Sequence, residues 1–450
     1  LAISLLVVHR ILRSHLGRAF EALRGSPVAS DCMGVSVYKY KVYAFVISAG
    51  FAGLAGSLYA YSEQYISPNT YNFELTVLFL LAIIMGGRKT RSGAILGATI
   101  IVLLPKLLDD IEIFRIVATL ACALIAVGAL IGLMKKWLSL NSVLVPVIGT
   151  FALAIFSFQL ENITDWRLSI FGLMILFVVY YLQDGIIGFL NKLLASQKAI
   201  SDQKELELQQ AQLAEHGHQD NAFSQNLNAT SSGKNAEEIL IANQVLMQFG
   251  GLKALNLVDL KVKRGEIHGL IGPNGSGKST MMNVLTGIYT PTAGEIDFKS
   301  NTVIGKTSSE IALSGIARTF QNVQLFGEMT ALQNVLVGLH HTFKSNFLDV
   351  ALSTSRYKSE DSLATNRAHA LLDFVGLGNL AWEQARNLPY GKQRLLEIAR
   401  ALALDPELLL LDEPAAGLTA PDIKELISII RKIRDHHITV ILIEHHMDVV

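Results

Sequence analysis

The first 190 residues consist mainly of long apolar stretches separated by short polar loops. The apolar stretches lie at roughly 42–61, 74–86, 93–106, 113–134, 142–160 and 166–184. Several reach the ~17–25 residues that a helix needs to cross a bilayer, so the pattern predicts a multi-helix α transmembrane domain over residues 1–190. The shorter stretches at 74 and 93 also fit a re-entrant pair or buried core helices, because hydropathy does not separate these alternatives.

Polar positions within this region predict its orientation. Basic residues are concentrated at 10–41, 88–91 and 135–136, whereas the loops at 61–73, 109–112 and 161–165 carry none. Lysine and arginine mark cytoplasmic loops, so the chain after Lys192 is predicted to be cytoplasmic. The cytoplasmic stretch 17–34 alternates apolar and polar residues and breaks near Gly25 and Pro27, which is typical of a short surface helix. It is either a docking element for a partner domain or a solvated loop.

Residues 191–236 form a polar segment with five glutamines between Gln203 and Gln219. Such a composition cannot bury a core, so a polar linker is predicted. From residue 237 to residue 450, short apolar runs at 239–242, 267–271, 408–411 and 439–443 alternate with Leu- and Ala-rich helical patterns. This alternation predicts an α/β domain.

A glycine-rich sequence, GPNGSGKST, directly follows the predicted strand at 267–271. Its glycines allow backbone N–H groups to approach phosphates, Lys278 meets the terminal phosphates, and the Ser279 hydroxyl can hold Mg²⁺. The sequence therefore predicts a P-loop NTPase fold with a phosphate site. The candidate binding residues are Gly272, Pro273, Asn274, Gly275, Ser276, Gly277, Lys278, Ser279 and Thr280.

Further candidate residues follow the later strands and turns. The four-leucine run 408–411 delivers Asp412 and Glu413 to the carboxyl end of a strand, where such sheets bind ligands. Asp412 suits Mg²⁺, and Glu413 suits an attacking water. LPYGK at 388–392 places Gly391 before an amphipathic helix whose dipole attracts anionic oxygen.

Composition and charge narrow the class of protein. Apolar residues make up 51% of the 450 residues without counting glycine, above the ~45–50% that soluble domains reach with glycine included. The net charge is zero, which gives no electrostatic basis for a nucleic-acid partner. Cys32 and Cys122 are far apart in apolar surroundings, so buried, inert thiols are predicted rather than a disulfide or metal cage.

The second half resembles the ABC transporter superfamily. The resemblance is carried by GPNGSGKST, Gln321 in ARTFQN, LPYGK at 388–392, LLLLDE at 408–413 and His445 in ILIEHH. Within it, FGGLKAL, GIARTFQNVQLF and LDEPAAGL look like the ATPase subunit of high-affinity branched-chain amino acid importers. In the first half, EALRGSPVASDCMG and IMGGRKTRSGAILGA look like a permease subunit of the same importers. A permease fused to its ATPase is therefore expected.

The resemblance implies roles for individual residues. Phe249 would stack on adenine, Gln321 would sense Mg²⁺ and water and contact the permease, and Glu413 would act as general base. His445 would contact the γ-phosphate. Leu388, Tyr390 and Gly391, in the signature motif, would cover the phosphate loop of another ATPase domain. The implied metal ligands are Ser279, Gln321 and Asp412.

The same resemblance implies ATP and Mg²⁺ as cofactors and a multi-pass location in the bacterial inner membrane, with the ATPase domain cytoplasmic. The implied partners are a second ATPase subunit, a second permease subunit, a periplasmic solute-binding protein, membrane lipid and a branched-chain amino acid substrate.

Several positions depart from the wider superfamily. Pro389 replaces the usual signature serine, Thr419 and His446 stand where aspartate is common, and the chain is expected to be a fragment at both ends. Three alternatives stay open. They are the same motor carrying urea or short amides, an ABC exporter half-transporter, and a protein whose membrane part only anchors or senses.

Overall fold

The structure is a computed structural model. It describes residues 1–67, 73–87, 91–109, 111–134, 147–152, 155, 176, 180, 185–188 and 237–444. The chain divides into two compact units, one comprising Leu1–Tyr59 with Gly217–Val450 and the other Ala60–His216. The predicted linker, and most of the apolar stretches at 142–160 and 166–184, lie outside the described residues. The domain boundaries at 190 and 236 thus stay predictions.

Three short helices begin the chain: α1 (Ala2–Arg13), α2 (His15–Gly25) and α3 (Pro27–Asp31). Each break has a local cause. The Ser14 side chain caps α2 by accepting a hydrogen bond from the Leu16 N–H at 3.1 Å. Ser26 caps α3, and the first residue of α3 is Pro27. Proline suits this position because an N–H group in the first turn of a helix has no partner within the helix.

Helix α4 (Val37–Glu63) covers the first predicted membrane stretch. Among the described residues it is the one helix long and apolar enough to cross a membrane. The next helices are α5 (Phe73–Gly86), α6 (Arg91–Asp109) and α7 (Ile111–Met134), which match the stretches at 74–86, 93–106 and 113–134. Whether α5 and α6 span a membrane stays a prediction.

Helices α5 and α6 approach each other through glycine. A Cβ atom added to Gly86 would collide with the Gly93 carbonyl oxygen, and one added to Gly97 would collide with that of Ala82. Only glycine permits such close backbone contact. This is the small-residue packing that membrane helices use in the absence of a hydrophobic driving force.

Residues 237–444 contain two four-stranded sheets. The first is antiparallel, in the order β2-β1-β4-β5, and the second is parallel, in the order β3-β8-β7-β6. The strands are β1 (Glu238–Phe249), β2 (Leu252–Lys263), β3 (Ile267–Leu270), β4 (Ala293–Phe298), β5 (Asn301–Thr302), β6 (Ile316–Arg318), β7 (Leu408–Asp412) and β8 (Thr439–Ile443). Residues 237–444 thus form an α/β domain that follows a helical region, as predicted.

Seven α-helices accompany these sheets in the described part of the chain. They are α8 (Lys278–Leu285), α9 (Ser308–Ser314), α10 (Ala331–Gly338), α11 (Phe347–Leu352), α12 (Ser355–Phe374), α13 (Tyr390–Leu402) and α14 (Ala420–Asp435). Three short 3-10 helices cover Leu339–Thr342, Gly378–Leu380 and Ala385–Asn387.

Helices α2 and α3 pack, within their unit, on the domain formed by residues 237–444. Ala19, Ala22, Ala29 and Met33 are buried in one hydrophobic cluster with Phe326 and with residues of α10. Arg18 pairs with Asp361 of α12 at 2.9 Å. The stretch 17–34 is therefore a docking element rather than a solvated loop.

The thiol of Cys32 is buried in this interface. Its burial raises the pKa of Cys32 to about 11. The predicted burial of Cys32 is confirmed. The reactive form of a cysteine is the thiolate, so a raised pKa favours the less reactive thiol. Cys122, on α7, is half-buried and free.

Candidate functional site

The parallel sheet brings the candidate residues to one edge. Because β3, β8, β7 and β6 are parallel, their carboxyl ends meet at the same edge, where ligands of such sheets bind. β3 leads into the glycine-rich loop, β7 ends at Asp412, and β6 ends at Arg318. Residues 408–411 are fully buried. Because this part of β7 is held in the core, it fixes the positions of Asp412 and Glu413 at the carboxyl edge of the sheet.

The glycine-rich loop runs from β3 to α8, and Lys278, Ser279 and Thr280 form the first turn of that helix. Lys278 Nζ donates to the carbonyl oxygens of Gly272 at 2.7 Å and Pro273 at 3.0 Å, so the ammonium lies across its own loop. Gly277 has φ +92°, and a Cβ atom there would lie 2.6 Å from the Ala254 carbonyl oxygen. A residue with a side chain does not fit there. The loop thus combines a tight glycine turn, the first turn of a helix and one ammonium group, an arrangement that suits an anion.

Asp412 is buried and ion-paired at the end of β7. Arg318 Nη2 donates to Asp412 Oδ2 at 2.9 Å, and Arg318 Nη1 donates to Asn283 Oδ1 at 2.6 Å. Burial raises the pKa of the Asp412 carboxyl, and the Arg318 guanidinium opposes that rise. The second oxygen, Asp412 Oδ1, is buried without a hydrogen-bond partner among the described residues. An unsatisfied carboxylate oxygen beside a phosphate cradle fits a divalent cation or a water bound to one.

The structure brings Gln321 and Glu413 together. Gln321 Nε2 donates to Glu413 Oε2 at 2.9 Å. Glu413 is only 8% exposed and has φ +48°, a left-handed backbone conformation that its N–H stabilises by donating to the Ile443 carbonyl oxygen at 3.0 Å. This conformation costs free energy for residues other than glycine, and residues with such backbone strain are concentrated at functional sites.

The signature residues lie at the start of α13. Leu388 is buried, Pro389 precedes the helix, and Tyr390 is exposed. A Cβ atom on Gly391 would lie 2.8 Å from the Asp422 carboxyl carbon, so this glycine allows α13 to approach α14 closely. Thr419 is the N-cap of α14 and forms a capping box with Asp422, whose Oδ2 accepts from the Thr419 N–H at 3.4 Å and from Thr419 Oγ1 at 2.6 Å. Thr419, one of the departures from the superfamily, therefore has a structural use.

Another predicted residue, Phe249, belongs to the antiparallel sheet. Phe249 ends β1, is 43% exposed, and contacts Tyr289 edge to face with ring centroids 5.2 Å apart. His445 and His446 lie outside the described residues. Glu444, which precedes them, is buried and accepts a hydrogen bond from the Ala415 N–H at 2.8 Å.

Sequence reasoning missed four charged residues of this region: Arg318, Arg394, Glu397 and Glu444. Arg394 and Glu397 project from α13 and are at most 2% exposed. The sequence does contain one signal for them, which is a charged residue at a position where the pattern predicts an apolar one. Because Lys, Glu and Arg are rarely fully buried without a partner, such a residue indicates a buried ion pair or hydrogen bond. The partners themselves could not be predicted, because Arg318 and its partner Asp412, and Arg394 and its partner Phe320, are more than 70 residues apart in the sequence.

Comparisons with known proteins agree with this architecture. Residues 255–416 match the ABC transporter family, and residues 1–120 match the branched-chain amino acid transport system permease component. The high-affinity branched-chain amino acid transport ATP-binding protein LivG of Salmonella typhimurium is 45% identical over 216 residues, which are 48% of this chain and 85% of LivG.

Two further matches fall in the same half. The corresponding protein BraF of Pseudomonas aeruginosa is 44% identical over 213 residues, 47% of this chain and 84% of BraF. A solved nucleotide-free ATP-binding cassette from an ABC transporter is 32% identical, with a TM-score of 0.42 over 48% of this chain and 84% of that one. The chain thus belongs to the branched-chain amino acid ABC transporter family, as a permease component fused to an ABC-type ATPase domain that couples ATP hydrolysis to transport.

Proposed function

We propose that this protein imports branched-chain amino acids across the bacterial cytoplasmic membrane, driven by ATP hydrolysis. The observation that carries the proposal is the contact between Gln321 and Glu413 at the sheet edge that also holds the phosphate loop, in a chain that begins with a permease region. The choice of cargo rests on the names of the relatives, which are branched-chain amino acid transport proteins.

Nucleotide binding is assigned to the loop and its flanking aromatic residue. The backbone N–H groups of 272–280 and the N-terminus of α8 attract the phosphates, and Lys278 leaves its two carbonyl partners to meet them. Phe249, exposed at the end of β1, supplies a ring for the adenine.

Hydrolysis is assigned to Glu413. Its carboxylate takes a proton from the attacking water, while Gln321 orients the water and the carboxylate by hydrogen bonding. Bound Mg²⁺ would neutralise phosphate charge, and Ser279, Asp412 and Gln321 are the residues that would hold it. Arg318 keeps one oxygen of Asp412 occupied and thereby leaves the other for this task. His445 is proposed to contact the γ-phosphate.

Coupling to transport is assigned to the docking element formed by α2 and α3. ATP-driven closure of two ATPase domains, each signature motif covering the partner's loop, would displace the surface on which α2 and α3 lie. Such a closure requires a second ATPase subunit. A second permease subunit and a periplasmic solute-binding protein complete the proposed assembly.

Uptake measurements test the proposal. Bacteria expressing the full-length protein with its companion subunits should accumulate radiolabelled leucine, and cells lacking its gene should lose this uptake. Labelled urea and a short amide serve as the competing cargoes. Leucine uptake that is unchanged by deletion, or restoration of urea uptake alone by the gene, would reject the proposed cargo.

A substitution at Phe249 tests the adenine contact. Phe249→Ala should weaken ATP binding about 5- to 150-fold, because stacking a base on an aromatic ring contributes about 1–3 kcal/mol. Phe249→Tyr keeps the ring and should bind ATP like the wild type. Titration with a fluorescent ATP analogue measures both. Equal affinities for the Ala and Tyr variants would remove Phe249 from the binding site.

A further inference from the structure

Two side chains of helix α13 form hydrogen bonds to the main chain of the irregular segment 320–324. Arg394 Nη1 donates to the Phe320 carbonyl oxygen at 2.6 Å, and Arg394 Nη2 donates to the Gln321 carbonyl oxygen. One turn later, Glu397 Oε1 accepts hydrogen bonds from the N–H groups of Phe320 and Gln324, both at 3.3 Å. One buried ion pair thus satisfies two donors and two acceptors of a segment that belongs to no sheet or helix.

Stability alone does not account for this arrangement. Arg394 is 2% exposed and Glu397 is fully buried, and their charged groups lie 3.3 Å apart. Burying two charges costs free energy that their attraction often fails to return, and apolar replacements are frequently neutral or stabilising. What apolar side chains cannot supply is a pair of oriented donors and acceptors for the backbone of 320–324.

The restrained segment carries Gln321. The carbonyl oxygen of Gln321 is held by Arg394, and its side-chain amide reaches Glu413 at 2.9 Å. A shift of this backbone by 1 Å would therefore change the Gln321–Glu413 distance directly. Misplacements of this size at a catalytic group have large effects on rate.

We propose that Arg394 and Glu397 are positioning residues, which fix the main chain of 320–324 so that Gln321 stays in contact with Glu413. The proposal rests on the catalytic role proposed above for Glu413. It predicts that weakening the clamp lowers turnover through Gln321, while ATP binding, which uses the phosphate loop and Phe249, is little changed.

The test is a double-mutant cycle on the full-length protein with its companion subunits. Arg394→Lys keeps the charge but loses the planar fork that serves two carbonyl groups. We expect it to lower kcat for ATP hydrolysis about tenfold to hundredfold, with KM for ATP changed by less than about threefold. In a Gln321→Ala background the same substitution should have almost no further effect, since the two residues act as a unit.

A matched control is available on α12. Arg356 donates to a carboxylate, Glu360, and to a carbonyl oxygen, that of Lys344, but it is exposed. Arg356→Lys should leave kcat unchanged. Glu397→Gln provides the second variant of the clamp. It keeps the shape of the side chain but replaces Oε2, which accepts from Arg394 Nη1 at 3.3 Å, by an NH₂ group that cannot accept, so it should reproduce the loss of kcat.

Three results would overturn the proposal. The first is an unchanged kcat in Arg394→Lys. The second is a loss of kcat on Arg394→Lys that is equally large in the wild-type and Gln321→Ala backgrounds. The third is that both clamp variants unfold, as judged by melting temperature, instead of losing turnover in the folded state. The readout is ATP hydrolysis, which does not depend on the cargo. A protein that hydrolyses ATP without importing leucine would contradict the proposed function and still test the clamp.

Discussion

Glu413→Gln is expected to abolish ATP turnover and leucine uptake while ATP binding is retained. The substitution preserves the shape of the side chain but removes its ability to take a proton. A positioned general base contributes about 10²–10⁴-fold to rate, so kcat should fall by this factor. The affinity for ATP should change by less than about threefold, because the phosphate loop is untouched.

The structure makes this test selective for chemistry. Glu413 is buried next to Gln321, and the carboxamide of a glutamine can still accept the hydrogen bond from Gln321 Nε2. Nucleotide affinity is measured by titration, hydrolysis by phosphate release, and uptake with labelled leucine. Normal uptake in this variant would remove Glu413 from the mechanism.

An exposed glutamate provides the matched control. Glu328 pairs with Arg386 at 3.0 Å, and both side chains are about half exposed. Exposed ion pairs contribute little to stability, so Glu328→Gln should have wild-type kcat, affinity and uptake. A drop in turnover in this control as large as that of Glu413→Gln would show that the loss does not report on proton transfer.

Three strands of the parallel sheet, β3, β7 and β8, could be predicted from sequence because they are mainly apolar runs, whereas its edge strand β6 was missed because it has only three residues and ends in Arg318. The prediction for β8 has the observed bounds, and those for β3 and β7 differ by one residue. The antiparallel sheet was missed in most of its length. β2 alternates irregularly between buried and exposed residues. β1 continues past Ala242 through two consecutive exposed polar residues, Asn243 and Gln244, at a shift in the strand register.

The candidate site shows the same division between local and long-range information. The phosphate loop is one continuous stretch of residues, and Asp412 and Glu413 are adjacent to each other, so a local sequence motif reveals each of them. The clamp formed by Arg394 and Glu397 joins segments more than 70 residues apart, and no local pattern encodes that distance. Its members also lie on the buried face of an amphipathic helix, where a binary pattern predicts apolar residues.

Helices α2 and α3 dock on the ATPase domain through small, fully buried residues, which makes the interface sensitive to added volume. Ala22 and Ala29 are 0% exposed. Nearby, His15 stacks on Phe343 with ring centroids 4.6 Å apart. Burial and then the charge of Arg18 lower the pKa of His15 to about 4, so its imidazole is neutral at physiological pH. The His15 side chain therefore adds no charge to this interface.

Ala29→Arg is accordingly expected to uncouple the two activities. Overpacking costs about 1–3 kcal/mol, and the buried guanidinium adds to that cost, so docking should weaken about tenfold or more. Basal ATP hydrolysis should stay near the wild-type rate because the substitution leaves the residues of the phosphate loop, Gln321 and Glu413 unchanged. Leucine uptake, and the stimulation of hydrolysis by loaded solute-binding protein, should be lost.

The adjacent residue separates docking from a general effect of charge on α3. Val28 is 52% exposed, so Val28→Arg introduces the same side chain one position earlier without entering the cluster that contains Ala29 and Phe326. This variant should retain uptake and stimulated hydrolysis. If α2 and α3 were solvated and made no use of this surface, both variants would transport leucine normally, and that result would exclude the docking element as the route from ATP hydrolysis to the permease.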